Sequence, residues 1–162
     1  MKLFSDTISA TPTSGRRMEV VSVADLSNWD SQPFTDRSYT FMDIGNYSSN
    51  CYFIRGANED KNTDPSSVQT ILQVPFPSTV YLDFWGGSSH VSKVSSWIGS
   101  WMETAYKIPT EFSATGVLSG PGTVMKRNFG SGTINLMGNN GDGHGTYYSF
   151  VCPQGKHNRY LG

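Results

Sequence analysis

The clearest indication of the fold lies in residues 68–87, which read Val68-Gln69-Thr70-Ile71-Leu72-Gln73-Val74-Pro75-Phe76-Pro77-Ser78-Thr79-Val80-Tyr81-Leu82-Asp83-Phe84-Trp85-Gly86-Gly87. Residues 68–74 and 79–85 are both rich in β-branched and aromatic residues and alternate in polarity, which predicts two strands. The prolines between them break the pattern, and prolines at a strand end indicate an edge or a bend. The two glycines at 86 and 87 end the second strand.

Short strands with the same pattern are predicted on both sides of this stretch. They are Met18–Val23, Ser38–Ile44, Cys51–Arg55, Gly116–Gly120, Thr123–Phe129, Gly132–Met137 and Thr146–Val151. Strands at intervals of about 8–13 residues with glycine turns between them are typical of an all-β protein, an antiparallel β-sandwich or barrel. At most one or two short helices are expected. Residues 91–106 stay open between helix and strand, since Trp97, Ile98, Trp101 and Met102 have helical spacing but weak helix-forming neighbours.

The composition agrees with such a fold. The chain has 162 residues, of which 36% are hydrophobic and 15% charged, against about 45–50% and 25% in an average globular domain. Small polar residues and glycine fill the difference, with 22 Ser, 14 Thr, 10 Asn and 17 Gly. The aromatic content of 13% argues against disorder.

Charge and hydropathy exclude several classes of function. A net charge of −1 and a pI of about 6.3 argue against a nucleic-acid partner, because such proteins carry basic patches. No apolar run is long enough for a transmembrane helix, and residues 1–6 contain no signal-peptide core. The two cysteines, Cys51 and Cys152, are expected to be buried free thiols in a reducing cytoplasm, with no structural disulfide.

A search for catalytic and metal-binding motifs indicates a protein that is not an enzyme and needs no cofactor. The three histidines form no paired metal-ligand spacing, and residues 139–145 lack the spacing of a calcium loop. Asp83 is the one carboxylate in a suggestive apolar setting, between Leu82 and Phe84, but strand alternation predicts that it points outward.

Two segments combine ring surfaces with short hydrogen-bonding side chains, which is what a sugar-binding surface needs. One is residues 84–90, and the other is the glycine-rich stretch 139–145 with the tyrosines that follow it. Loops on a rigid β scaffold often carry binding residues. The candidate ligand-binding residues are Trp85, His90, Asn139, Asn140, Asp142, His144 and Tyr147. The stretch 139–145 is expected to be an exposed loop, whereas Trp97 and Trp101 are expected in the core.

Residues from about 25 to 105 resemble the knob-type repeat of bacteriophage tail fibres and pyocin fibres. The likeness lies in the order of short motifs, which are Asp25-Leu26, Tyr39-Thr40-Phe41, the strand ending at Arg55, residues 68–74, Val80-Tyr81-Leu82 and Trp97-Ile98-Gly99-Ser100-Trp101. Residues from about 107 onward resemble the C-terminal β-sandwich heads of phage receptor-binding proteins. Their motifs are Ile108-Pro109-Thr110-Glu111-Phe112, Gly130-Ser131-Gly132-Thr133-Ile134-Asn135-Leu136 and Gly145-Thr146-Tyr147-Tyr148-Ser149-Phe150.

These resemblances imply a non-enzymatic receptor-binding protein that attaches to bacterial surface glycan as part of a virion tail. The chain would be synthesised in the host cytoplasm, form a homotrimer and contact other tail proteins, with no nucleic acid and no membrane insertion. The low apolar content independently favours an oligomer. The expected division is an arm at 1–17, a knob-like subdomain at 18–106 and a head subdomain at 107–162. The alternatives are a capsid or head-decoration protein, a polysaccharide-degrading tailspike fragment and a cellular lectin.

Overall fold

The computed structural model describes residues 7–27, 31–37, 40–43, 47–84, 86–104, 110–112, 118–119, 123–141 and 146–154. The strands in these ranges are β1 (Ser9–Pro12), β2 (Glu19–Ser22), β3 (Thr40–Asp43), β4 (Tyr52–Arg55), β5 (Val68–Val74), β6 (Ser78–Phe84), β7 (Met102–Glu103), β8 (Thr110–Phe112), β9 (Leu118–Ser119), β10 (Thr123–Phe129), β11 (Gly132–Met137) and β12 (Tyr148–Pro153). The helical pieces are α1 (Ser88–Ser92) and 3₁₀ turns at Val23–Asp25, Asn58–Asn62 and Ile98–Ser100. Among the residues described, no helix is long and apolar enough to cross a membrane.

The strands form antiparallel sheets, which confirms the predicted all-β class. A three-stranded sheet has the order β1-β5-β11, a six-stranded sheet the order β2-β4-β12-β6-β10-β7, and a small sheet the order β3-β8-β9. Pro75, Phe76 and Pro77 carry the chain from β5 in the first sheet to β6 in the second, so the prolines mark a bend. The predicted bounds of β5, β10 and β11 match those found.

The main core lies between the three-stranded and six-stranded sheets, which makes the architecture a sandwich. Leu72 and Ile134 from the smaller sheet meet Val80, Leu82 and Phe84 from the larger one, and all five side chains are buried. Close packing of apolar side chains between two sheets is the main source of stability in such a fold.

The six-stranded sheet also has a second apolar cluster on its opposite face. Phe53, Tyr148 and Phe150 lie on this face, and the segment between β2 and β4 covers them with Phe34 and Tyr47. The Tyr47 and Phe150 rings stack at 3.8 Å with an angle of 7°. Both faces of the larger sheet are therefore buried over its central strands.

A disulfide joins Cys51 to Cys152, so the prediction of two free thiols is wrong. The cause is the antiparallel register of β4 and β12, in which Val151 pairs with Tyr52. One step further along the register sets the two cysteines opposite each other, with their Cα atoms 4.2 Å apart. That separation is slightly shorter than is usual for a disulfide and well within the limit of about 7 Å beyond which two cysteines cannot be bridged.

Several segment predictions are resolved by the structure. Of the open stretch 91–106, the structure describes residues 91–104, which form neither one helix nor one strand, since the end of a short helix, a 3₁₀ turn and β7 share them. In the polar segment 57–67, the side chains of Asn58 and Asp60 are buried. Ser9–Pro12, expected within an arm, pairs with β5 as strand β1. The six-stranded sheet crosses the predicted boundary at 106/107, because β10 and β12 lie beside strands that precede it.

Candidate functional site

The two predicted sugar-binding segments meet through a buried hydrogen bond between His90 and Asn139. The Gly86 backbone N–H donates to His90 Nδ1 at 3.3 Å, so that nitrogen is the acceptor of a neutral imidazole. The proton then lies on Nε2, which donates to Asn139 Oδ1 at 2.7 Å. Both side chains have no measurable exposure. The bond fixes the start of α1 against the beginning of the 139–145 stretch.

Asn139 is the centre of a larger buried network. Its Oδ1 also accepts the Tyr147 N–H at 3.1 Å, and its Nδ2 donates to the carbonyl oxygens of Lys61 and Gly141. The Asn139 backbone N–H donates to Gln69 Oε1 at 2.8 Å. Polar groups removed from water are costly unless they are bonded. The network therefore satisfies these groups and holds three chain segments in fixed relative positions.

A close backbone approach reinforces this arrangement. The Gly138 N–H donates to Ser67 O at 2.9 Å, and Trp97 Nε1 donates to Gly138 O at 3.0 Å. A Cβ atom at position 138 would lie 2.0 Å from the Asp64 carbonyl oxygen. Glycine is needed here because the segment 57–67 packs directly on the backbone. The stems of the candidate loops are consequently rigid.

The structure separates the predicted site residues into buried and exposed members. Asn139 is buried, so its prediction as an exposed loop residue is wrong, and His90 and Tyr147 are buried with it. The Tyr147 hydroxyl donates to Met137 O, and burial raises the pKa of that hydroxyl. Asn140 is exposed, as predicted. The candidates Trp85, Asp142 and His144 lie outside the described residues.

Asn140 has the backbone conformation expected at a sharp turn. Its φ is +65°, a left-handed value that asparagine tolerates better than most residues. Its Nδ2 donates to Lys93 O at 2.6 Å, which ties the loop to the residue after α1. Ser88 and Ser89 at the start of α1 are exposed as well. The exposed side chains of Ser88, Ser89 and Asn140, next to the buried network, are short and can form hydrogen bonds. We call this surface the loop edge.

The two tryptophans of residues 97–101 belong mainly to the core, as the sequence predicted. Trp101 is buried, and Trp97 is half-buried, with its ring 6.2 Å from Trp101 and 6.0 Å from Tyr147. Trp97 also contacts Phe84 at 6.2 Å. Through its contacts with Tyr147 and Gly138, Trp97 packs against the buried hydrogen-bond network.

Asp83 is fully buried on the second face of the six-stranded sheet, so the prediction that it points outward is wrong. Its Oδ2 accepts a hydrogen bond from the Tyr47 hydroxyl at 3.1 Å, and its Oδ1 has no hydrogen-bond partner among the residues that the structure describes. Burial raises the pKa of this carboxyl well above its ordinary value, and the tyrosine only partly opposes that effect.

Two further features bear on ligand binding. Within the ranges that the structure describes, no cluster of three or more His, Cys, Asp or Glu could hold a metal ion. A polar cleft of about 330 Å³ lies at the edge of the six-stranded sheet, and its lining includes Arg17, Glu19, Gln32 and Arg55.

The comparisons with known proteins give a likeness of fold. The sequence matches no protein-family model and no curated protein sequence. The structure is similar to part of a β-glucuronidase from glycoside hydrolase family 2, with a TM-score of 0.58 and 15% sequence identity. The match covers 90% of this chain and 14% of that one. The chain therefore corresponds to a small part of the enzyme's length, and the likeness at this identity is one of β-sandwich fold.

Proposed function

We propose that this chain is a non-catalytic β-sandwich module that binds carbohydrate. The observation that carries the proposal is the likeness of nearly the whole chain to a small portion of a β-glucuronidase of family 2. The matched portion is 14% of that enzyme's chain, so most of the enzyme lies outside the likeness. Fold alone does not assign function, so the proposal rests equally on the loop edge described above.

The loop edge has the properties of a sugar-binding surface. Sugar hydroxyls are both donors and acceptors, and Asn140, Ser88 and Ser89 offer both kinds of group. These side chains are short, so ordering them costs little conformational entropy. His90 and Asn139 are assigned to positioning, because they are buried and bonded to each other. Direct contact is assigned to Trp85, Asn140, Asp142 and His144.

The absence of catalysis is proposed on the surroundings of Asp83. A general acid must reach the glycosidic oxygen, within hydrogen-bond distance. Asp83 has a raised pKa, as such an acid needs, but its side chain has no exposed surface. We assign this carboxyl to the interior of the protein. An assay for reducing ends released from bound polysaccharide tests the assignment, and a turnover lost in Asp83→Asn would reverse it.

A glycan array followed by titration calorimetry tests the binding proposal. Replacement of Asp142 and His144 together by Ala should weaken binding of the best array ligand at least tenfold, about 1.4 kcal/mol. Asn140→Gly should weaken it as well, since glycine keeps the left-handed backbone and removes only the side chain. The control is Asn135→Ala, an exposed asparagine on β11, which should leave affinity unchanged.

The outcomes of these experiments separate three possibilities. Loss of binding in the loop variants with unchanged melting supports the proposed site. Unchanged affinity in the loop variants and in Trp85→Ala would refute the loop edge as the contact surface. A protein that binds nothing on a broad array would refute carbohydrate binding itself.

The narrower hypothesis is that the glycan belongs to a bacterial surface and that the chain is a phage receptor-binding protein. It is supported by the motif resemblance in two parts of the sequence. The disulfide is compatible with an oxidising environment such as a virion or cell surface, where disulfides persist. The hypothesis predicts a trimer, so light scattering should give a mass near three times 17.8 kDa. A stable monomer that binds only eukaryotic-type glycans would contradict it and favour a lectin.

A further inference from the structure

The polar cleft beside β2 and β4 is built around two arginines that share one carboxylate. Glu19 on β2 pairs across the strands with Arg55 on β4. Arg55 NH1 donates to Glu19 Oε1 at 2.8 Å, and Arg17 NH2 donates to the other oxygen, Oε2. The two guanidinium groups are therefore aligned by a single acid at the mouth of the cleft.

The cleft keeps an excess of positive charge at neutral pH. Hydrogen bonds from Arg55 and then Arg17 lower the pKa of Glu19, so its carboxyl is ionised. Among the described residues that line the cleft, two guanidinium groups and one carboxylate give a net charge of +1. By contrast, Arg37 lies between two carboxylates, Asp36 and Glu59. The chain as a whole has a net charge of −1, so the local charge of the cleft is opposite in sign to the net charge of the protein.

Both arginines have further N–H donors that could bind a ligand, and the side chain of Arg55 is held in place. Arg55 uses its Nε for the Gln32 carbonyl oxygen at 2.6 Å and its NH1 for Glu19, which are two of its five N–H donors. Its side chain is only 19% exposed, so it is ordered before any ligand arrives. Arg17 is 74% exposed and can turn toward a ligand.

The remaining walls suit a hydroxylated ring more than a bare ion or an apolar ligand. Ser31, Gln32 and Thr35 contribute polar groups, and Phe34 forms a buried apolar floor. The volume of about 330 Å³ equals that of roughly ten water molecules. A free sulfate fills only a small part of that space, whereas ligand pockets begin at about 300 Å³.

We propose that this cleft binds an anionic saccharide, with its carboxylate or sulfate on Arg17 and Arg55 and its ring hydroxyls on Gln32 and Ser31. Planar guanidinium groups form paired hydrogen bonds with such anions, which a lysine does not reproduce. The site goes beyond the proposed function, because it shares no residue with the loop edge and can exist without it.

Titration calorimetry at low salt tests the cleft with four probes: glucuronate, glucose 6-sulfate, glucose and inorganic sulfate. Glucuronate or glucose 6-sulfate should bind, and the one that does identifies the anionic group. Arg17→Gln and Arg55→Lys should each weaken that binding at least fivefold. Arg127→Gln, an exposed arginine elsewhere on the surface, should leave it unchanged. Thermal melting establishes that each variant is folded, and Arg17→Gln is the safer variant because its side chain is largely exposed.

Four outcomes would overturn the proposal: neither anionic sugar binds, glucose binds as well as they do, sulfate alone binds as tightly as the sulfated sugar, or both cleft variants bind like wild type. The double replacement of Asp142 and His144 distinguishes this site from the loop edge. It should weaken binding of the array ligand at least tenfold but leave binding of glucuronate or glucose 6-sulfate intact. Failure at one site therefore leaves the other result standing.

Discussion

Removal of the disulfide should destabilise the protein strongly. The bond joins residues 101 positions apart in the sequence and therefore closes most of the chain into one loop. In the unfolded state the cross-link restricts the separation of its ends, which lowers the entropy gained on unfolding. We expect the Cys51→Ala and Cys152→Ala double variant to lose most of this effect.

The size of the effect follows from the loop length. A loop of about 100 residues corresponds to roughly 4.7 kcal/mol at 25 °C. In a chain of this size, 1 kcal/mol shifts the melting temperature by about 2–4 °C. The double variant should therefore melt roughly 9–19 °C lower than the oxidised protein. Cys51 is buried in the aromatic cluster, so truncation of its side chain adds a smaller loss from packing.

Urea unfolding of three samples separates the cross-link from the packing. The oxidised wild type should be the most stable, and the reduced wild type should fall close to the double variant. Reductant should not change the stability of the double variant. This sample therefore controls for any effect of the reductant other than cleavage of the disulfide. Two reactive thiols in denatured but unreduced protein would refute the disulfide. A loss below about 1 kcal/mol on reduction would refute the loop-entropy argument.

Three further changes test the interior of the sandwich. Asp83 has a raised pKa when folded, so the native state retains a proton that the unfolded state releases above about pH 4. The stability associated with this proton is complete below that pH and is lost as the pH rises. In urea titrations, the stability of Asp83→Asn should therefore increase relative to that of the wild type between pH 4 and 7. If the stabilities of the two proteins changed in parallel with pH, this prediction would be contradicted. Gly138→Ala should cost about 1–3 kcal/mol by overpacking against the backbone 2.0 Å away, whereas Gly130→Ala, with open space around it, should stay within about 0.5 kcal/mol in the same assay. Asn139→Ala should cost about 1–3 kcal/mol, because it removes the buried hydrogen bonds that Asn139 Oδ1 accepts from His90 and Tyr147. It should also weaken binding of the array ligand, and an unchanged melting temperature would show that the network is not structural.

Much of the secondary structure could be predicted from local pattern. The bounds of Val68–Val74, Thr123–Phe129 and Gly132–Met137 were predicted from alternation and glycine turns, and the structure has the same bounds. Local sequence suffices here because a strand's side chains point to opposite faces with a period of two. The all-β class follows from the number and spacing of such segments.

Local alternation assigns residues to a shared face, but it does not say what covers that face. Tyr81 and Asp83 share one face of β6, and Val80 and Leu82 share the other. Polar Asp83 predicts a solvated face, yet Asp83 is buried and accepts a hydrogen bond from Tyr47, which belongs to the segment between β2 and β4. That covering depends on contacts between residues far apart in the sequence, which no window around Asp83 contains.

The candidate site shows the same division. The short polar side chains of 139–145 and the glycines after β6 could be recognised in the sequence, and Asn140 is exposed as predicted. The bond from His90 to Asn139 spans 49 residues, so the burial of both could not be read from either segment.

Most of the longer strands, the glycine turns and the two polar segments follow from the sequence alone, because each depends on neighbours within a few residues. Strand pairing, by contrast, is known only from the folded structure. That pairing set Cys51 opposite Cys152, brought Arg17 and Arg55 to one carboxylate, and placed a carboxyl group inside the sandwich. Each of these results depends on antiparallel register between distant strands, which is fixed by the burial of whole faces and not by the residues along any one strand.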